Sequence, residues 1–199
     1  MPSTQTRRPR IYLAGPEVFL HDAVEAGARK QKLCDEAGFI GVYPLDAALD
    51  LGGMAKHAQA KLISESDEAL MLSCDLLIAN LTPFRGISAD VGTAFEVGFM
   101  RALGRPVLGY SNTSQTYQAR SEQFRAGPKL PFDSDAPGIM AEEFGLSENL
   151  MIEIAIEASG SRLITREAAP GMEMTDLAGF RDCLAEARKM LGEGRVPVC

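Results

Sequence analysis

Five short, almost unbroken apolar runs punctuate the chain: RIYLAG (10–15), FIGVYPL (39–45), DLLIANL (75–81), RPVLGYS (105–111) and SRLIT (161–165). A strand with one face in water alternates apolar and polar residues. These runs do not, so each reads as a strand covered on both faces, as in a parallel sheet. Helical spacing is expected near 22–37, 55–72, 90–103, 147–159 and 175–191. Parallel strands need crossover connections, and this alternation supplies a helix for each. The expected fold is α/β: a flavodoxin-like, open, parallel five-stranded sheet with helices on both faces. Ligands of such sheets sit beyond the carboxyl ends of the strands. Chemistry is therefore expected in the loops after Gly15, Leu45, Leu81 and Ser111.

The 199 residues suit one compact domain, expected over 10–199, behind a polar, basic leader at 1–9 that is expected to be flexible. The leader lacks the apolar segment of a secretory signal and is short for a transit peptide. No apolar run approaches the roughly 20 residues that span a bilayer, so no membrane partner and a cytoplasmic location are expected. With 27 acidic against 20 basic residues the net charge is -7, which offers no electrostatic footprint for a nucleic acid polymer. Cys34, Cys74, Cys183 and Cys199 show no CxxC spacing and read as reduced thiols. The stretch from Asn112 to Ser147, with AGPKLPFDSDAPG inside it, is too long for an ordinary connection and reads as an extended loop.

The densest chemistry lies in RGISADVGTAFEVG (85–98). Asp90 fits the N-cap of the third helix, where its carboxylate accepts from first-turn amides. On a helical wheel Val91, Ala94, Phe95, Gly98 and Ala102 form an apolar stripe that is expected to face the sheet. Glu96 then lies roughly 120 to 130° from its centre and borders the core. Gly92, Ala94 and Gly98 leave backbone room beside the helix for a chain segment or a ligand.

IYLAGPEVF (11–19), CDLLIANLTPFRG (74–86), DVGTAFEVGFMRALGRPVL (90–108) and NLM (149–151) together resemble the nucleoside 2-deoxyribosyltransferases. Most of 11–165 is covered in the family's order. The pairing of D-x-G-T-x-x-E-x-G with an upstream IY-x-A-G carries the specificity.

The resemblance implies an enzyme that passes the deoxyribosyl group of a 2'-deoxynucleoside to another free nucleobase, with no cofactor. Glu96 matches the nucleophile, which would attack the anomeric carbon and give a covalent intermediate with net retention. At an ordinary pKa near 4.3 such a glutamate is already ionised and needs only orientation. Tyr12 matches the tyrosine that holds the nucleophile, though a strand tyrosine can equally be core. Asp90 matches a nucleoside-contacting aspartate. Asp67 falls where the family often touches the base, and reads equally as a surface residue. Asp67 or Asp90, or water held by one of them, would protonate the leaving base. Gly15 lies in the first loop, and Phe19 and Phe84 could stack on the base or simply pack. Asn149 and Met151 match residues that close the sugar pocket of a neighbouring subunit, which implies a homo-oligomer. Read locally, the same stretch is a helix start with Ser147 as N-cap and Met151 in the core. TPFRG looks most like the purine-handling branch, and the implied role is nucleoside salvage. The chain continues past the fifth strand as a helix and VPVC, so no role is carried over to a carboxyl terminus at Cys199.

Other patterns are missing. His21 and His57 have no partner at metal-ligand spacing, and neither GxGxxG nor GxxxxGK[ST] occurs, so neither a metal nor a nucleotide cofactor is implied. Two rivals share the fold. One is a hydrolase of 2'-deoxynucleoside 5'-monophosphates, for which GPEVFLHD lacks a Ser/Arg phosphate cluster. The other is a nucleoside-binding module without catalysis.

Overall fold

The computed structural model describes residues 7–127 and 140–192. Its elements run β1 (Arg10–Ala14), α1 (Ala23–Glu36), β2 (Ile40–Val42), α2 (Lys56–Leu72), β3 (Leu76–Asn80), α3 (Val91–Ala102), β4 (Val107–Ser111), α4 (Tyr117–Ala126), α5 (Leu150–Glu157), β5 (Leu163–Thr165) and α6 (Ala178–Gly192). The five strands form one sheet in the order β2-β1-β3-β4-β5, and every pairing is parallel. This is the flavodoxin-like order. The direction of winding reverses around β1 and β3, and the crevice there is the expected ligand site.

The near-continuous hydrophobicity of the strands has the expected cause. Successive strand residues point to opposite faces, and both faces are buried. Ile11, Leu13, Leu76, Ile78, Leu108 and Tyr110 join one core with Leu33 and Cys34 of α1 and Phe180, Leu184 and Met190 of α6. Tyr12, Ala14, Leu77, Ala79 and Val107 join the other, with Met71 of α2, Val97 and Met100 of α3, and Ile152 and Ile156 of α5. Gly109 of β4 is small for a reason: a Cβ there would come 2.7 Å from Cδ1 of Ile156, so its absence lets α5 lie directly on the strand. Cys34, Cys74 and Cys183 are buried and free. Burial pushes the thiols of Cys34 and Cys74 up to about 12 and about 11, as inert core thiols require.

Three expectations need revision. The second strand ends at Val42, because Pro44–Asp46 forms a 3-10 turn closed by the Asp46 carboxylate on the Tyr43 amide. The stretch after Asn112 is not an extended loop throughout, since α4 occupies Tyr117–Ala126, capped by the Thr116 hydroxyl on the Ala119 amide. The Gly/Pro-rich part of that stretch, 128–139, lies outside the described residues, as do 1–6 of the leader and the VPVC end. Arg7 and Arg8, within the expected leader, are tied to Asp75 and Asp35. No described helix is long and apolar enough to cross a membrane.

Candidate active site

The Tyr12 hydroxyl donates to Oε1 of Glu96 at 2.7 Å, joining mid-β1 to the second turn of α3. Glu96 lines a cleft of about 370 Å³ between α2 and α3, together with Ala60, Ile63, Asp67, Gly92 and Phe95. Asp67 and Glu96 therefore share one pocket. The room expected beside α3 is where Gly92 stands: a Cβ there would meet only the Asp90 carboxylate, 3.0 Å away.

Glu96 does not have the ordinary pKa expected of it. Burial, the largest influence, pushes its carboxyl up to about 8; the neighbouring carboxylates of Asp67, Asp90 and Glu17 add to this, and the bond from Tyr12 opposes it. Burial also pushes Asp67 up to about 6. The Tyr12 hydroxyl is raised far beyond the usual range by burial and by the Glu96 charge, so it stays a donor at any working pH.

Asp90 caps α3 as expected: Oδ2 accepts from the amides of Gly92 at 3.0 Å and Thr93 at 3.2 Å. Both bonds end on Oδ2, so among the described residues Oδ1 has no partner. The face of α3 is otherwise the reverse of the expected one. Thr93, Val97 and Met100 face the sheet, while Val91 is 85% and Phe95 58% exposed. The helix is apolar nearly all round, so periodicity does not distinguish its two stripes, and the larger Val97 and Met100 fill the core. Glu96 stands one turn before Met100 in the same row, which brings it closer to the core than the wheel implied.

In the first loop, a Cβ at Gly15 would come 2.1 Å from Oε2 of Glu17 and 2.9 Å from Cβ of Asn80, at a φ of 155°. Only glycine fits that approach. Glu17 itself is buried, paired with the buried Lys30, and its Oε1 accepts from Asn80 Nδ2 at 2.9 Å and Tyr110 Oη at 3.2 Å. Asn80 in turn accepts from the amide and hydroxyl of Thr82. A buried polar tie thus joins the loops after β1 and β3. Glu17, flanked by Pro16 and Val18 in an otherwise apolar segment, was a readable anomaly in the sequence; Lys30, within ARKQK, was not.

Phe19 and Phe84, one from each of those loops, lie nearly parallel with centroids 5.4 Å apart. The Arg85 guanidinium sits 4.7 Å from one ring centre and 4.6 Å from the other. Arg85 is the one non-glycine residue with positive φ, 53°, among the described residues. The two phenylalanines therefore meet each other, and Phe19 is 52% exposed rather than core.

Asn149, not Ser147, caps α5: its Oδ1 accepts from the Met151 amide at 3.0 Å, and Glu142 holds its side-chain amide at 2.6 Å. Met151 is 74% exposed, which excludes the core role of the local reading. Within this one chain Asn149 and Met151 are not among the residues that line the cleft of Glu96. Sequence reasoning also missed Arg120 and Glu148, a buried ion pair beside that helix start.

The fold and site define a flavodoxin-like α/β protein with a tyrosine-held glutamate and a second carboxylate in one cleft beside the β1/β3 switch point. Residues 11–151 match the model of the nucleoside 2-deoxyribosyltransferase family, and the chain belongs to that family. It is 33% identical over 175 residues to an uncharacterized protein of Schizosaccharomyces pombe, covering 80% of this chain and 83% of that one. Among solved structures it is similar to a 2-desoxiribosyltransferase from Leishmania mexicana, at 30% identity and a TM-score of 0.55, covering 72% of this chain and 85% of that one. A conserved protein from Enterococcus faecalis V583, at 20% identity and a TM-score of 0.56, shares the fold over 91% of this chain and 99% of its own.

Proposed function

We propose that the chain moves the 2'-deoxyribosyl group of a 2'-deoxynucleoside from one nucleobase to another, with Glu96 as nucleophile. The observation that carries this is the Tyr12–Glu96 bond inside a cleft shared with Asp67. Glu96 attacks the anomeric carbon as its bond to the base breaks, and an ester to the sugar forms. An incoming base then displaces the ester from the opposite face, so two inversions leave net retention. The transition state is oxocarbenium-like, and an anionic oxygen beneath the ring stabilises its charge.

The proton count closes within the pocket. A protonated Glu96 and a neutral nucleoside become an ester and a neutral free base. The proton lost by Glu96 is therefore the one the departing base needs. Asp67 lines the same cleft and titrates near 6, which suits it to carry that proton. The unbonded Oδ1 of Asp90 suits a contact to the nucleoside, and the Phe19–Phe84 pair suits the flat face of a base, with a lean to purines that rests on TPFRG. A role in salvage follows from base exchange as such.

We assign the active unit as a homo-oligomer. Val91, Phe95, Met151 and Ile154 are exposed on α3 and α5, which pack side by side. An apolar surface of that kind suits a subunit interface and would present Asn149 and Met151 to a neighbour.

The test is to incubate the protein with deoxyinosine or thymidine plus a second free base and to follow both by chromatography. Exchange supports the reading. Base release without exchange favours a hydrolase, and no change favours a binding module. Glu96→Ala should abolish exchange, and wild-type protein without acceptor should gain one deoxyribosyl mass.

A further inference from the structure

Glu148 is fully buried, and each of its carboxylate oxygens is bonded twice. Oε1 accepts from the Ser88 hydroxyl and from the Asn149 amide at 2.9 Å. Oε2 accepts from the Ala89 amide at 3.1 Å and from Nη2 of Arg120 at 3.3 Å. Arg120, itself buried, donates onward to the carbonyls of Ile87 at 2.6 Å, Gln115 at 2.6 Å and Ser147 at 2.7 Å. Apart from Arg120, which lies in α4, every one of these partners is a loop or helix-cap residue. Ile87, Ser88 and Ala89 are the three residues that lead into Asp90, the N-cap of α3. Ser147 and Asn149 flank Glu148 at the entrance to α5.

We propose that Glu148 and Arg120 are positioning residues for catalysis: together they fix the entrance of α3, which carries Asp90 and Glu96, against the entrance of α5, which carries Asn149. Three observations support a positional role over a merely stabilising one. Neither side chain lines the cleft of Glu96, so they act through others. Apart from the bond of Arg120 to the Gln115 carbonyl ahead of α4, their bonds converge on two helix starts that both carry residues of the assigned site. A hydrophobic pair of similar volume could fill the space, and buried ion pairs are often no more stabilising than such a replacement, but it could not hold five backbone groups in register. The Asp90 carboxylate is the group most directly controlled, since Ala89 precedes it and its capping bonds leave one oxygen to aim at a ligand. This inference rests on the deoxyribosyltransferase reading.

A double-mutant cycle tests it. Glu148→Gln places an amide where the Ser88 and Ala89 sides both offer donors, and Ser88→Ala removes one bond while leaving the ion pair intact. Asp90→Asn keeps the cap but alters the carboxylate. Glu148→Gln should raise the donor KM on the order of tenfold, more than it lowers kcat per folded molecule, and Ser88→Ala should do the same more mildly. In the Asp90→Asn background both effects should shrink to less than about twofold, because residues acting through one another are non-additive. If Glu148→Gln does not fold, Ser88→Ala decides. Losses that multiply in the double mutants would overturn the proposal, as would a kcat that falls with the folded fraction at unchanged KM. Lack of exchange by the wild-type protein would sink the transferase reading alone. The same cycle is then read on deoxyinosine binding by calorimetry, where non-additivity supports the positioning role and additivity overturns it.

Discussion

The Tyr12 hydroxyl, 2.7 Å from Oε1 of Glu96, ties together residues 84 positions apart in the chain. The bond favours the ionised glutamate, against burial and three neighbouring carboxylates that favour the neutral acid. Tyr12→Phe should therefore push the Glu96 carboxyl above its value of about 8. The reacting pocket holds one proton, so the alkaline fall of kcat/KM, set by Glu96, should move upward, while the plateau drops on the order of tenfold because the ionised Glu96 beside a protonated Asp67 becomes rarer. A profile that keeps its wild-type midpoint would mean that Tyr12 does not hold the nucleophile.

The same raised carboxyl predicts how stability depends on pH. Between an unfolded value near 4.5 and a folded value of about 8, the native state binds the extra proton. The stability that belongs to the protonated form is complete below the lower value and is lost as pH rises through the upper one. Urea denaturation at pH 5, 7 and 9 should show the wild type falling behind Glu96→Gln by on the order of 1–3 kcal/mol at the alkaline end. Parallel curves across the three pH values would contradict the burial of that charge.

The sheet was legible because strands buried on both faces write themselves as unbroken apolar runs, and all five were read within a few residues of their true ends. Asp90 was legible because a cap is a local event. The face of α3 was not: VGTAFEVGFMRA is apolar nearly all round, so only the sheet and α5 decide which stripe goes inside. The pKa of Glu96 was equally hidden, because it depends first on burial and then on Tyr12, Asp67, Asp90 and Glu17, which the fold alone brings about. Glu148 gave no sign of burial, since its partners lie about 30 and 60 residues away.

The buried pair of Lys30 and Glu17 supports the first loop, and its two members are not equivalent to remove. Lys30→Met leaves Glu17 charged and unpaired in the core, and should cost about 3–5 kcal/mol. The double variant Glu17→Gln, Lys30→Met removes both charges and should recover much of that loss, because Asn80 and Tyr110 still have a polar partner. Chemical denaturation of the three proteins gives the comparison. A double variant no more stable than Lys30→Met would show that the unpaired charge is not what costs the stability.

The assignment of Asn149 to a neighbour's site has a test that depends on no purified intermediate. Glu96→Ala and Asn149→Ala should each be nearly inactive as separate preparations. When they are unfolded and refolded together, half the dimers contain one of each. In such a dimer one site pairs the intact Glu96 with the intact Asn149 of the other subunit, so about a quarter of wild-type activity should return if the site is built across the interface. If Asn149 serves its own chain, every site in the mixture lacks one of the two residues and no activity returns. Met151, 74% exposed on the same helix start, should behave as Asn149 does when replaced by alanine. Size-exclusion chromatography of Ile154→Glu, which charges the exposed face of α5, should show dissociation together with loss of exchange, since a monomer would hold only half of each site.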